Sequence, residues 1–201
     1  MSLVIVDTGC ANISSVYCAF KRLGVEAKVS RDLDEIKNAA KLLLPGVGAA
    51  RQAMSNLQQR DLIDTLKAAP QPLLGICLGM QLLTDHSEEG DVDCLGILPG
   101  EVKRMQVGKL RLPHMGWNTL TTTEAGDNHP LLAGIGAEDY VYFVHSFAVA
   151  PSAITLASCD YGQRFAAVIG QGNKFGAQFH PERSGKVGAT LLQNFLSLKG
   201  D

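Results

Sequence analysis

The chain has 201 residues and a formal net charge of −2, with 46% hydrophobic and 19% charged residues. That balance suits one well-buried globular domain over 1–201, and it gives no electrostatic basis for nucleic acid or an anionic membrane as a main partner. No apolar run approaches the roughly 18 residues of a membrane helix, and Met1-Ser2-Leu3-Val4-Ile5-Val6-Asp7 lacks the basic opening of a secretory signal.

The first half alternates strand and helix patterns. Residues 3–6 form a continuous apolar run, as expected of a strand covered on both faces. Residues 12–23 carry Val16, Ala19, Phe20 and Leu23 at helical spacing, with Gly24 as a stop. A second strand at 26–30, a short helix at 32–39 and a third strand at 42–44 follow. Pro45-Gly46-Val47-Gly48 closes that strand. Residues 49–69 are helical with a break near Gln59, and 73–76 make a fourth strand. This rhythm predicts an α/β fold with an open, mostly parallel, doubly wound sheet flanked by helices.

From 95 to 169 the pattern changes to short β-rich segments between Gly, Pro and Asn turns. The predicted strands are 101–105, 117–123, 140–147, 154–159 and 164–169, in an additional antiparallel or mixed β segment. A strand at 175–179 leads to His180, and 187–198 is a closing helix. Ligands of open α/β sheets bind beyond the carboxyl ends of the strands. Asp7-Thr8-Gly9, residues 45–48, Cys77 and His180 all stand just past such ends.

Gly75-Ile76-Cys77-Leu78-Gly79 places a thiol on a sharp strand-to-helix turn, the arrangement of a nucleophile elbow. Glycines on both sides relieve crowding there. Phe179-His180-Pro181-Glu182 supplies a base and an orienting acid, and Pro181 restricts how His180 leaves its strand. The two glycines of residues 45–48 allow an oxyanion loop, with a second N–H from Leu78. That loop has no Lys followed by Ser or Thr, so it is not a P-loop. The five cysteines are odd in number and form no C-x-x-C pair, which argues for a reducing, cytoplasmic setting and against disulfides or a metal site. Cys10, Cys18, Cys94 and Cys159 read as packing residues, and His86 and His129 as solvated loop residues. His114 and His145 stay open.

G-x-C-x-G-x-Q with a distant H-P-E resembles the triad, or class I, glutamine amidotransferases over essentially the whole chain. The resemblance implies a flavodoxin-like glutaminase fold with Cys77, His180 and Glu182 as nucleophile, base and orienting acid. It implies oxyanion-hole N–H groups from Val47 and Leu78. It also implies a glutamine grip from Gln81 and Glu89, aided by backbone near Gly48, Ser146 and Phe147, and no cofactor. Residues 7–12, 112–118, 142–146 and 178–185 narrow the resemblance to the glutaminase subunits of imidazole glycerol phosphate synthase. That branch implies ammonia delivery to a cyclase subunit of (β/α)₈-barrel fold on a separate chain, within histidine biosynthesis. Asn12, Pro113, His114, Met115 and Trp117 are the expected contacts in that heterodimer, against the alternative that Trp117 opens a core strand. The rival readings are a glutaminase serving another synthase, a free-standing cysteine hydrolase of γ-glutamyl substrates, and a non-catalytic flavodoxin-like module.

Overall fold

The computed structural model describes residues 2–9 and 11–198, so the expectation for Cys10 lies outside the described residues. The first half runs β1 (Leu3–Val6), α1 (Ile13–Arg22), β2 (Lys28–Ser30), α2 (Leu33–Lys37), β3 (Lys41–Gly46), α3 (Ala50–Gln59), α4 (Leu62–Lys67), β4 (Leu73–Cys77) and α5 (Leu78–Leu82). Then come β5 (His86–Ser87), β6 (Val92–Asp93), β7 (Glu101–Arg104), β8 (His114–Thr119), β9 (Thr121–Thr122), β10 (Tyr140–His145) and β11 (Phe147–Val149). The chain closes with β12 (Thr155–Asp160), β13 (Arg164–Gln171), β14 (Lys174–Ala177) and α6 (Gly185–Ser197).

The main sheet has the order β2-β1-β3-β4-β14-β13-β12-β9. Its pairings are parallel from β2 to β14 and antiparallel from β14 to β9. Both faces are covered, which is why the strands are apolar without alternation. Leu3, Ile5, Leu43 and Leu74 enter one core with Phe20 of α1 and Leu191, Leu192 and Phe195 of α6. Val4, Val6, Leu42, Leu44 and Leu73 enter the other with Ala53, Met54 and Leu57 of α3 and Leu66 of α4. The α/β fold expected from the sequence, an open and mostly parallel sheet flanked by helices, is therefore present, with its further β segment as a β8–β10 pair and a small sheet β11-β7-β5-β6.

Several sequence expectations shift in detail. Strand β3 runs through Pro45 and Gly46 because it pairs with β4 as far as Gly46 opposite Cys77. Residues 140–147 are two strands rather than one. The break at Ser146 lets β10 pair with β8 and β11 with β7, in different sheets. Residues 117–123 likewise divide around buried Leu120, and β8 begins earlier, at His114. His86 belongs to β5 and faces Asp91, with Nε2 and Oδ1 3.1 Å apart. His129 is half-buried, accepting from the Leu131 N–H at 3.1 Å with its ring edge-on to Phe175. Cys159 is buried and Cys94 partly so, but Cys18 is exposed because Val16, Ala19 and Phe20 take the inner face of α1.

The β4–α5 junction needs its glycines for packing as well as for the turn. A Cβ on Gly79 would lie 1.7 Å from the Leu44 carbonyl oxygen, and one on Gly75 would lie 2.6 Å from the Gly79 carbonyl oxygen. Helix α5 therefore rests directly on the backbone of β3. Replacing Gly79 by Ala should destabilise the fold by about 3 kcal/mol, seen as a lowered thermal midpoint.

Candidate active site

The elbow holds Cys77 at φ 52 and ψ −112, a backbone conformation that side-chain-bearing residues rarely adopt. The strain is sustained by β4 on one side and the α5 contact with β3 on the other. The thiol is 8% exposed, and Sγ lies 3.9 Å from the Val144 carbonyl and 3.8 Å from Gln178 Nε2.

His180 is placed by backbone rather than by chance. Its N–H donates to the Tyr142 carbonyl at 2.9 Å. The Ser184 hydroxyl donates to the His180 carbonyl at 2.7 Å and accepts from the Tyr142 N–H at 3.0 Å, clamping the turn onto β10. Residues Pro181–Arg183 form a 3-10 turn that folds Glu182 back beneath the imidazole. Oε1 of Glu182 lies 2.8 Å from His180 Nδ1, and the two side chains are 3% and 8% exposed. A carboxylate accepts, so Nδ1 carries the proton and Nε2 is left as the working nitrogen. Among the described residues Nε2 has no hydrogen-bond partner, and it faces the cavity that Cys77 also lines.

Burial alone would lower the His180 pKa. The nearby Cys77 and the Glu182 carboxylate on Nδ1 together outweigh it and raise the value to about 10. The buried carboxylate thus favours the imidazolium form of His180. The other cysteines differ in kind. Burial, aided by nearby aspartates, pushes Cys94 up to about 11 and Cys159 up to about 12, which makes both poor nucleophiles.

A cavity of about 200 Å³ opens over the thiol, lined by Val47, Gly48, Cys77, Leu78, Gln81, Glu89, Val144, His145, Ser146, Phe147 and His180. Every expected nucleophile, base, oxyanion and substrate residue lines it, except Glu182, which stands behind His180. Val47 and Gly48 follow β3, and Gly48 has φ +95. Glu89 Oε2 accepts from the Ala50 N–H at 3.1 Å, fixing the start of α3 just beyond that loop. Burial raises the Glu89 pKa, and the Ala50 bond opposes this. Gln81 donates from Nε2 to the Phe147 carbonyl and to Gln178 Oε1, each at 2.9 Å. Sequence reasoning assigned no role to Val144, His145 or Gln178. They reach the thiol or its cavity through β10 and β14, and nothing local in the sequence announces that. Among the described residues, no cluster of three or more His, Cys, Asp or Glu is arranged to hold a metal ion.

The expected contact residues divide. Met115 and Trp117 are 63% and 54% exposed, and Pro113 and Asn12 are also exposed. His114 departs from expectation at 3% exposure. Side chains alternate along β8, so its neighbours point out while His114 points in.

The thiol elbow, imidazole and carboxylate stand together at the carboxyl end of a parallel sheet, in the arrangement a nucleophile, a base and an orienting acid would need. The class I glutamine amidotransferase model matches residues 4–198. The chain belongs to that family. Two solved structures share the fold: a glutamine amidotransferase with TM-score 0.72 at 21% identity, covering 96% of both chains, and PurLQS from Thermotoga maritima with TM-score 0.71 at 21% identity, covering 97% of both. Within the family the chain stands among the HisH subunits. The imidazole glycerol phosphate synthase subunit HisH of Idiomarina loihiensis is 56% identical over 198 residues, 98% of each chain. That of Vibrio cholerae is 55% identical over 203 residues, again 98% of each.

Replacing Glu182 by Gln keeps the shape and removes the charge. The His180 pKa should fall below its wild-type value in an NMR titration. The rate of amide hydrolysis should drop by about 10²-fold or more.

Proposed function

We propose that this chain is the glutaminase subunit of imidazole glycerol phosphate synthase, making ammonia from glutamine for a cyclase on a second polypeptide. The cavity over Cys77 carries this reading. Its lining joins the Cys77 thiol and His180 to two acceptors, Glu89 and the oxygen of Gln81. Both Gln81 amide protons are already donated, so its oxygen remains for a ligand. Two acceptors suit the α-ammonium group of glutamine. The α-carboxylate then falls to backbone N–H groups of the Ser146–Phe147 wall.

Sγ of Cys77 attacks the side-chain amide carbon, and its proton passes to His180 Nε2. The carbonyl oxygen becomes an oxyanion held by the N–H groups of Val47 and Leu78. His180 returns the proton to the amide nitrogen, the C–N bond breaks, and ammonia leaves a γ-glutamyl thioester. Water then gives a proton to His180 and attacks the thioester, and glutamate and the thiol are restored.

Strand β10 supports the partner assignment. Val144 lines the cavity, and its cross-strand partner on β8 is Met115, on an exposed apolar face with Trp117 and Tyr140. Trp117 meets Tyr142 edge-on at 5.8 Å between centroids. An exposed aromatic cluster one strand from the thiol suits docking of the barrel, with a short route for ammonia that keeps it from bulk water. The cytoplasm, where a thiol stays reduced, is the setting we propose.

Glutamate release should be slow for the chain alone and rise strongly with the cyclase subunit and its ribotide ligand. Full activity of the isolated chain would instead favour the free-standing hydrolase. Replacing Cys77 by Ala should abolish release by at least about 10³-fold while leaving partner binding intact. Replacing Trp117 by Ala should weaken that binding by about 2 kcal/mol in calorimetry.

A further inference from the structure

A continuous chain of hydrogen bonds connects the thiol to strand β8 through groups that take no part in the hydrolytic steps. Gln178 Nε2 faces Cys77 Sγ at 3.8 Å, and Gln178 Oε1 accepts from Gln81. Gln81 also donates to the Phe147 carbonyl, which accepts a second bond from His145 Nδ1 at 3.0 Å. A carbonyl oxygen accepts and never donates, so His145 Nδ1 holds the proton and the Nε2 of the neutral ring is an acceptor. That Nε2 lies 3.1 Å from His114 Nδ1, which must therefore donate. His114 Nε2 is then an acceptor, 3.5 Å from Asn118 Nδ2. Asn118 is itself oriented: Oδ1 accepts from the Thr119 N–H at 2.9 Å, and Nδ2 donates to the Asp160 carbonyl at 3.0 Å. Each donor meets an acceptor along the whole path.

The surroundings hold both rings neutral and still. His114 and His145 are 3% and 6% exposed, and burial lowers each pKa to about 4. The His114 ring lies between Tyr161 and Phe143, with centroids 4.0 and 4.9 Å away.

We propose that His114 and His145 are positioning residues for the glutaminase site, locked as Nδ1–H tautomers that fix the Phe147 carbonyl and, through it, the Gln81 amide. Gln81 oxygen is thereby held toward the glutamine. The inference rests on the glutamine reading above. It also ties the substrate wall to β8, whose opposite face carries Met115 and Trp117.

The test is ¹⁵N–¹H NMR of the imidazoles in the full chain, followed by glutamine kinetics with the cyclase and its ligand. Both rings should show a protonated Nδ1 at neutral pH. An Nε2–H form of either ring in the wild type overturns the proposal, and this readout needs no turnover, so it stands even if the glutamine assignment fails. His114→Phe removes the donor and should raise KM for glutamine about 10-fold, with a much smaller change in kcat. His114→Asn restores a donor where Nδ1 stood and should recover most of that loss. Equal KM values for wild type and His114→Phe, or no recovery in His114→Asn when both variants melt alike, also overturn it.

Discussion

The contact between Gly79 and the backbone of β3 is the constraint from which the rest of the site follows. With a Cβ position only 1.7 Å from the Leu44 carbonyl oxygen, only glycine lets α5 sit this close to the sheet. That approach turns the chain sharply after β4, forces Cys77 to positive φ, and lifts its thiol off the carboxyl edge of the sheet. A strained residue persists when its surroundings over-determine it. Here β4 is hydrogen-bonded on both sides, by β3 and β14, while Leu78 and Met80 are buried beyond the turn.

The same neighbours deliver the partners of the thiol. β14 lies beside β4, so the residues after it emerge next to the elbow, bringing Gln178 and His180 to Cys77. β3 lies on the other side, so its trailing loop brings Val47 and Gly48. β10 closes the third wall and holds the His180 turn by backbone bonds. Activation is thus a product of strand order. Glu182 adds a buried carboxylate that, together with Cys77, outweighs the opposing cost of burial on His180.

Much of this was legible in the chain because it is written locally. Apolar runs with helical spacing between them marked the parallel half, and G-I-C-L-G and H-P-E marked the residues that meet at the proposed triad. Gly48, Gln81, Glu89, Ser146 and Phe147, for which the family resemblance implies a glutamine grip, all line the cavity. What stayed hidden depends on pairing between distant segments. Ser146 divides one apparent strand in two because the halves join different sheets, and two-residue strands such as β5 and β6 have no period to detect. His114 reads as part of an exposed motif, yet alternation along β8 turns it inward to stack on Tyr161. Gln178 sits in a quoted motif without a role, because its relation to Cys77 exists only once β14 lies beside β4.

The central claim is that Cys77 carries the γ-glutamyl group between the two halves of the reaction. It is tested most directly by rapid acid quench of the chain turning over glutamine with the cyclase and its ligand, followed by peptide mass spectrometry. The account predicts a γ-glutamyl thioester on the peptide that contains Cys77 and on no other cysteine. Steady glutamate release with no such adduct, or an adduct on a different cysteine, would contradict it.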